Sequence, residues 1–201
     1  MKIGILPYSS SNTANVKRLF TRTYNSSSFS IMEIKDVYQK VDLLVLPGVG
    51  NFEFVIKEIL SLGFTASNLK KNFPKIFGIC LGMHLMNKDS EESSSGYVKG
   101  WSFFNKSVKS ISILGAHKKV HTGWNYVTFT ESRYKNLDGY YYFSHSFGIE
   151  WNGDIEEKAY YVINDKKFIA LIKRNELVGV QFHPELSGEK GRLFLRSILD
   201  F

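Results

Sequence analysis

The sequence predicts an α/β fold: a mostly parallel central sheet flanked by helices, with added antiparallel strands. Three observations predict it. Short apolar runs alternate with helically spaced segments through the first half, the pattern of a parallel sheet covered on both faces. β-branched and aromatic runs separated by turn residues fill the second half, the pattern of antiparallel strands or hairpins flanking that sheet. The chain has 201 residues, which at about 100–200 residues per domain sets the expectation of a single domain over 1–201. A domain of that size buries about 70% of its unfolded surface and folds without staples.

The elements follow in order. Lys2–Leu6 reads as a first strand, and Asn12 caps a helix through Val16, Leu19 and Phe20, apolar at helical spacing. Ile31–Ile34 reads as a second strand. Val41–Leu46 is an apolar run broken by Pro47-Gly48-Val49-Gly50, a buried strand ending in a tight loop. Helical spacing returns at Phe54, Val55, Ile59 and Leu62. Ile76–Ile79 is another short buried strand, leading through Cys80-Leu81-Gly82 into a helix at Met83–Asn87. Val120, Tyr126, Val127, Phe129, Tyr140–Phe143, Ala159–Ile163, Phe168–Ile172 and Leu177–Phe182 supply the antiparallel part. Gly191–Phe201 closes as a helix with Leu193, Phe194, Ser197, Ile198 and Phe201 on one side. Ser9–Ser11, Ser26–Ser28 and Ser93–Ser95 read as loops.

Composition narrows the class. Apolar residues make up 43% and charged residues 22% of the chain. The single cysteine, Cys80, excludes an intrachain disulfide framework and a Cys-rich zinc site. Lys and Arg number 26 against 19 Asp and Glu, a net charge of +7. The basic pairs Lys70-Lys71, Lys118-Lys119, Lys166-Lys167 and Lys173-Arg174 are scattered and form no stripe with interleaved aromatics, so no nucleic-acid partner is expected. The N-terminal apolar run stops at Pro7, short for a signal-peptide core, and no run reaches the roughly 18 residues of a membrane span. The expectation is a soluble cytoplasmic protein without membrane association. His117 and His121 are four apart, but their β-rich surroundings and lack of carboxylate neighbours give no expected metal site, and nothing in the composition calls for a cofactor.

Two local patterns carry chemistry. Gly78-Ile79-Cys80-Leu81-Gly82 has the form G-x-C-x-G between a strand and a helix, the nucleophile elbow with sulfur in place of serine oxygen. The sharp turn needs small flanking residues, and it aims the thiol at a helix N-terminus, where partial positive charge favours thiolate. Val178–Glu185 ends in His183-Pro184-Glu185. With Pro184 holding the segment extended, residues i and i+2 point the same way, so Glu185 orients one ring nitrogen of His183 while the other faces a thiol. Taken singly, these are a buried cysteine beside packing glycines and a solvated surface ion pair. Together they form the Cys-His-acid arrangement for acyl transfer. An oxyanion hole is also required, from the N–H of Leu81 and from the loop Gly48, Val49 and Gly50, whose glycines let a peptide N–H turn toward the site.

Pro47–Phe52, Gly78–Met83, Gly123-Trp124-Asn125, Tyr142–Ser146 and Gly179–Glu185 occur in this order and span almost the whole chain. Together they resemble the class I (triad-type) glutamine amidotransferases and, within them, the HisH-like glutaminase subunits of imidazole glycerol phosphate synthase. The resemblance implies a flavodoxin-like three-layer fold. It also implies glutamine hydrolysis through a γ-glutamyl thioester on Cys80, with His183 as base and Glu185 as its orienter. Ammonia then passes to a (β/α)8-barrel synthase subunit (HisF-like), because a glutaminase domain fills this length. The resemblance further places His84, His145 and Ser146 at the glutamine pocket, and Asn12, Trp124 and Tyr142 at the partner interface.

Three positions depart from the family pattern. His84 stands where the family has glutamine, Pro7-Tyr8-Ser9-Ser10-Ser11-Asn12 replaces an Asp-Tyr-Gly-type turn, and Leu186 replaces an interface lysine. Altered interface residues suit a divergent histidine-pathway subunit or a HisH-like paralogue feeding a sugar amidotransferase in surface-glycan synthesis. Two further readings stay open: a free-standing Cys-dependent hydrolase, and a partner-activating subunit whose glutaminase is impaired at His84.

Overall fold

The computed structural model describes residues 1–24, 29–94, 96–116 and 119–199. The loop expectations at Ser26–Ser28 and Ser95, and the residues His117, Lys118 and Phe201, lie outside the described residues. A nine-stranded sheet forms the centre, in the order β2-β1-β3-β4-β13-β12-β11-β8-β9. Its parallel part is β1 (Lys2–Ile5), β2 (Ser30–Glu33), β3 (Leu43–Leu46), β4 (Ile76–Ile79) and β13 (Leu177–Val180). Its antiparallel part is β8 (His121–Phe129), β9 (Gly139–His145), β11 (Glu157–Ile163) and β12 (Lys166–Arg174).

The parallel strands read as apolar runs because both faces are covered. On β3, Leu43 and Val45 point into one core while Leu44 and Leu46 point into the other. The first core is closed by α1 (Thr13–Thr23), through Val16, Leu19 and Phe20, and by α5 (Gly188–Ile198), through Phe194, Leu195 and Ile198. The second is closed by α2 (Phe52–Ser61), α3 (Ala66–Asn72) and α4 (Leu81–Leu85), through Val55, Ile56, Ile59, Leu69 and Met83. Asn12 caps α1 as expected: its side chain accepts from the Asn15 N–H at 3.3 Å.

Several boundaries differ from the sequence reading. The helix expected from Met83 starts at Leu81, because the chain turns into it directly at Cys80. Leu62 lies past the end of α2 and is exposed; Val120 is exposed outside β8. The strand expected to reach Phe182 ends at Val180. The closing helix starts three residues earlier than expected, at Gly188, and turns Leu195 rather than Ser197 into the core. Helix α3 was not foreseen, since it buries only Leu69. A second, small sheet was also not foreseen: β5 (Asp89–Ser90), β6 (Val98–Lys99), β7 (Ser107–Ser110) and β10 (Phe147–Gly148), in the order β10-β7-β5-β6. Two-residue strands carry no readable period.

Candidate active site

Strands β3, β4 and β13 are parallel neighbours, and the segments leaving their C-terminal ends meet. That edge is where open α/β sheets place their sites. Here it opens into a cavity of about 390 Å³ lined by Gly48, Cys80, Glu92, Ser146 and His183 among others.

Cys80 has φ 46° and ψ −103°, a conformation that non-glycine residues rarely adopt. The strain belongs to a real elbow. A Cβ on Gly78 would lie 2.6 Å from the Gly82 carbonyl carbon and 2.7 Å from the Met83 nitrogen, so small flanks are required as the sequence implied. The Cys80 N–H donates to the Val180 carbonyl at 2.6 Å, tying the elbow to β13. The thiol is buried and points toward the Ser144 carbonyl at 3.9 Å.

His183 follows β13, and its backbone N–H donates to the Tyr142 carbonyl at 2.8 Å. Its Nδ1 lies 2.8 Å from Glu185 Oε1, the expected orienting contact. The geometry behind that contact differs from the expectation. His183 is extended, but Pro184–Leu186 forms a 3-10 turn, which folds the carboxylate back onto the ring. Proline enforces extension on the residue before it, and its own φ suits the first position of a helical turn. Ser187 locks the turn by donating to the His183 carbonyl at 2.6 Å. With Nδ1 held by Glu185, the buried Nε2 is the ring nitrogen left for the Cys80 sulfur. Burial works against a charged ring, yet the Cys80 sulfur and the Glu185 carboxylate outweigh it and raise His183 to about 11.

The loop beyond β3 is held from two sides. The Tyr8 phenol donates to the Pro47 carbonyl, and the Ser10 hydroxyl donates to the Val49 carbonyl at 2.9 Å. Between these anchors the Gly48 carbonyl accepts from the Leu81 N–H at 3.5 Å, so in this conformation Leu81 faces the loop. Gly50 adopts φ 135°, a glycine conformation. A Cβ on Gly48 would lie 2.9 Å from the His183 ring, which keeps that position open.

The remaining predicted residues divide. Ser146, Asn12 and Tyr142 line the cavity; Trp124 is exposed on β8 opposite Tyr142 of β9, ring to ring at 6.0 Å. Tyr126 and Tyr140 repeat that pairing at 5.3 Å and are also exposed, giving the β8–β9 hairpin an aromatic outer face. Leu186 and Val49 stand exposed at the cavity rim. His145 lines the cavity, but both ring nitrogens bond within the protein: Nδ1 to the Phe147 carbonyl at 2.8 Å, Nε2 to His121 at 3.0 Å and to the Tyr161 hydroxyl at 3.3 Å. Burial, then His121, lowers it well below its ordinary value, so the ring stays neutral at the cavity wall. His84 lines the cavity as expected; it is buried, and its Nε2 lies 2.8 Å from Gln181 Oε1. Burial outweighs that bond and lowers His84 to about 4.

Sequence reasoning missed Glu92, Gln181, Tyr8 and Ser10. Glu92 reaches the cavity from the turn after β5, accepting from the Phe52 N–H at 3.2 Å and the Asn51 side chain at 3.4 Å. Burial raises it to about 7 against those bonds. The Ser-rich loop around it carried no signal beyond loop composition.

A strained cysteine elbow on a parallel sheet shares its cavity with a hydrogen-bonded histidine–glutamate pair, the residue types that thiol acyl transfer uses. The sequence profile of the family "Glutamine amidotransferase class-I" matches residues 8–198, and the chain belongs to that family. Within it the chain is HisH-like. It is 32% identical to the imidazole glycerol phosphate synthase subunit HisH of Pyrobaculum aerophilum, over 99% of this chain and 97% of that protein. It is also 32% identical to the HisH subunit of Halalkalibacterium halodurans, over 97% of this chain and 94% of that one. Among solved structures, a glutamine amidotransferase shares the fold with a TM-score of 0.71 at 16% identity, covering 97% of both chains. The Trypanosoma brucei CTPS glutaminase domain shares it at 0.64 and 15% identity, covering 98% of this chain and 92% of that one.

Proposed function

We infer that the chain is the glutaminase subunit of an imidazole glycerol phosphate synthase, and that residues 1–201 serve as one glutaminase unit. The observation that supports it best is Cys80 on the strained elbow with His183 and Glu185 at the same cavity. Cys80 gives its proton to His183 Nε2 and its sulfur attacks the side-chain carbonyl carbon of glutamine. The carbon–nitrogen bond breaks, His183 protonates the departing ammonia, and a γ-glutamyl thioester remains. Water, deprotonated by His183, then releases glutamate. Glu185 holds the ring's tautomer and balances its positive charge.

Oxyanion stabilisation falls to the N–H of Leu81 and to the loop Gly48, Val49 and Gly50. Because the Leu81 N–H here faces the Gly48 carbonyl, acylation requires the Gly48–Val49 peptide to turn away. That requirement keeps basal turnover low and gives a docking partner something to change. The docking face is the aromatic hairpin surface with Trp124 and Tyr142, together with Asn12 and the rim at Leu186. The partner is a (β/α)8-barrel synthase subunit that consumes the ammonia. The reading carries a cytoplasmic setting, in keeping with one reduced thiol. Among the described residues no helix is long and apolar enough to cross a membrane. Exposed Leu186, in place of a charged residue, favours a partner with an apolar rim at that point. It keeps a sugar amidotransferase acceptor as the second reading.

The test is glutamate release by the chain alone and with each synthase. Slow release that rises severalfold with the barrel and its acceptor supports the reading; no release under either condition makes the chain a non-enzymatic activator. Trp124→Ala is expected to weaken the complex by about tenfold or more, the usual loss at a central aromatic anchor, read by titration calorimetry.

Glu92, the carboxylate at the cavity wall, takes the α-ammonium of glutamine, and Ser146 borders the same pocket. Its raised value near 7 sets the sign of the pH dependence. Below pH 7 the protonated carboxyl loses its hold on the cation, so the glutamine KM rises by up to about tenfold per pH unit. Glu92→Gln is expected to raise KM at pH 8 and flatten that acid limb. A variant that keeps the wild-type KM at pH 8 and the wild-type rise toward pH 6 places the ammonium elsewhere.

A further inference from the structure

We propose that Gln181 is a further catalytic residue, donating its side-chain N–H to the Cys80 sulfur, and that His84 is the positioning residue that fixes which end of the Gln181 amide faces that sulfur. The proposal rests on the reading of Cys80 as nucleophile. Strand pairing between β4 and β13 runs to Ile79 opposite Val180, so Cys80 and Gln181 are the next residues along on adjacent parallel strands. The Gln181 N–H donates to the Ala170 carbonyl at 3.0 Å, which holds its backbone in the sheet. Its side chain is fully buried, and Nε2 lies 3.5 Å from Cys80 Sγ.

A buried amide can be placed two ways round, with nitrogen and oxygen exchanged. The neighbours choose between them. The Cys80 S–H has the Ser144 carbonyl as an acceptor at 3.9 Å, so it does not need the amide oxygen. Once the thiol proton has moved to His183 Nε2, the sulfur has no hydrogen to give and an amide oxygen against it repels. On the other side, His84 Nε2 lies 2.8 Å from Gln181 Oε1. A neutral ring carrying its proton on Nε2 donates there and demands an oxygen. Burial keeps the His84 ring neutral. With the proton on His84 Nε2, the chain of donors runs one way, from His84 to Gln181 to sulfur, and the Gln181 side chain is fully shielded from solvent.

The bond serves both halves of the reaction. It holds the sulfur before attack, when the thiol proton has gone to His183. It meets the sulfur again when the carbon–sulfur bond of the thioester breaks and the electron pair returns to it. His84 acts through Gln181 and contributes no hydrogen bond to glutamine by its Nε2.

The test reads the sulfur directly, by the rate of Cys80 alkylation with iodoacetamide at fixed pH in the absence of glutamine. Gln181→Met keeps the volume and removes the donor. It is expected to slow alkylation and kcat by about tenfold, with KM within about twofold, the loss of one hydrogen bond to an ionised acceptor. Gln181→Glu keeps the acceptor for His84 and is expected to slow alkylation further than Met does. His84→Leu slows it severalfold, and His84→Gln, which retains a donor, restores the rate. The His84→Leu/Gln181→Met double variant reacts no slower than Gln181→Met alone, because both changes remove the same bond. Urea midpoints identify any variant that fails to fold, and the remaining single variants then decide. Wild-type alkylation in a folded Gln181→Met or Gln181→Glu overturns the proposal. So does His84→Leu raising KM with alkylation unchanged, which makes His84 a substrate contact. Alkylation behaving as expected while Cys80→Ala still releases glutamate leaves the donor chain standing and removes the nucleophile reading instead.

Discussion

Cys80→Ala is expected to reduce glutamine-dependent synthesis by about a thousandfold or more while leaving ammonia-dependent synthesis by the same complex at its original rate. The first effect follows because no other thiol exists in the chain, and triad members act as a unit, so removing the nucleophile removes the covalent route altogether. The second follows from the division of labour. Ammonia supplied from solution bypasses the thioester, and the acceptor chemistry sits on the partner. Parallel assays of the purified complex with glutamine and with an ammonium salt check both arms. Loss of the ammonia reaction in an intact complex contradicts the division of labour, and survival of the glutamine reaction contradicts the choice of nucleophile.

Gly82→Ala is expected to destabilise the protein by about 3 kcal/mol or more. A Cβ at Gly82 would press on the Leu46 carbonyl oxygen and lie 2.8 Å from Leu46 Cβ and 2.9 Å from Leu46 carbonyl carbon. Leu46 cannot retreat. It ends β3, is fully buried, and its strand pairs with β1 on one side and β4 on the other. The same contact sets the height of the elbow, so activity falls with stability. Gly63→Ala provides the contrast: nothing lies within 4 Å of its Cβ, and only its φ of 84° opposes the change, which costs about 1 kcal/mol. Urea unfolding of both variants checks the pair. For Gly82→Ala the midpoint is expected to fall by more than about 1 M. A wild-type midpoint there means that the helix does not pack against β3 as closely as described.

The elbow was legible because its requirements are local. Five consecutive residues must supply a nucleophile between two small neighbours at the end of an apolar run, and Gly78–Gly82 does so. The His183–Glu185 contact was legible for a similar reason, although by a different route than expected. Extended geometry does not bring the two side chains together; the 3-10 turn after Pro184 does. Residues two apart joined by a proline have few ways to lie, so the contact survived the wrong geometry.

Other features were illegible because no short stretch contains them. Helix α3 buries a single leucine, and the small sheet is built from strands two to four residues long, so neither imposes a period on the sequence. Glu92 reaches the cavity only because β5 ends beside α2, where Asn51 and Phe52 receive it. Ser10 and Tyr8 gained their part by lying across the loop after β3.

His84 marks the boundary most clearly. By position in its motif it belongs with the substrate contacts. In space it does line the cavity, but its Nε2 meets Gln181, a residue 97 positions along the chain. The sequence by itself determined the α/β class, the elbow at Gly78–Gly82 and the contact between His183 and Glu185. Each depends on local spacing, which backbone periodicity reads directly. Tertiary structure alone decided which polar groups share the cavity, which face of each amide and ring is engaged, and that the Leu81 N–H faces the Gly48 carbonyl. Those outcomes depend on where strands distant in sequence come into register, and a buried hydrogen bond exists only once both partners have been brought there and shielded from water.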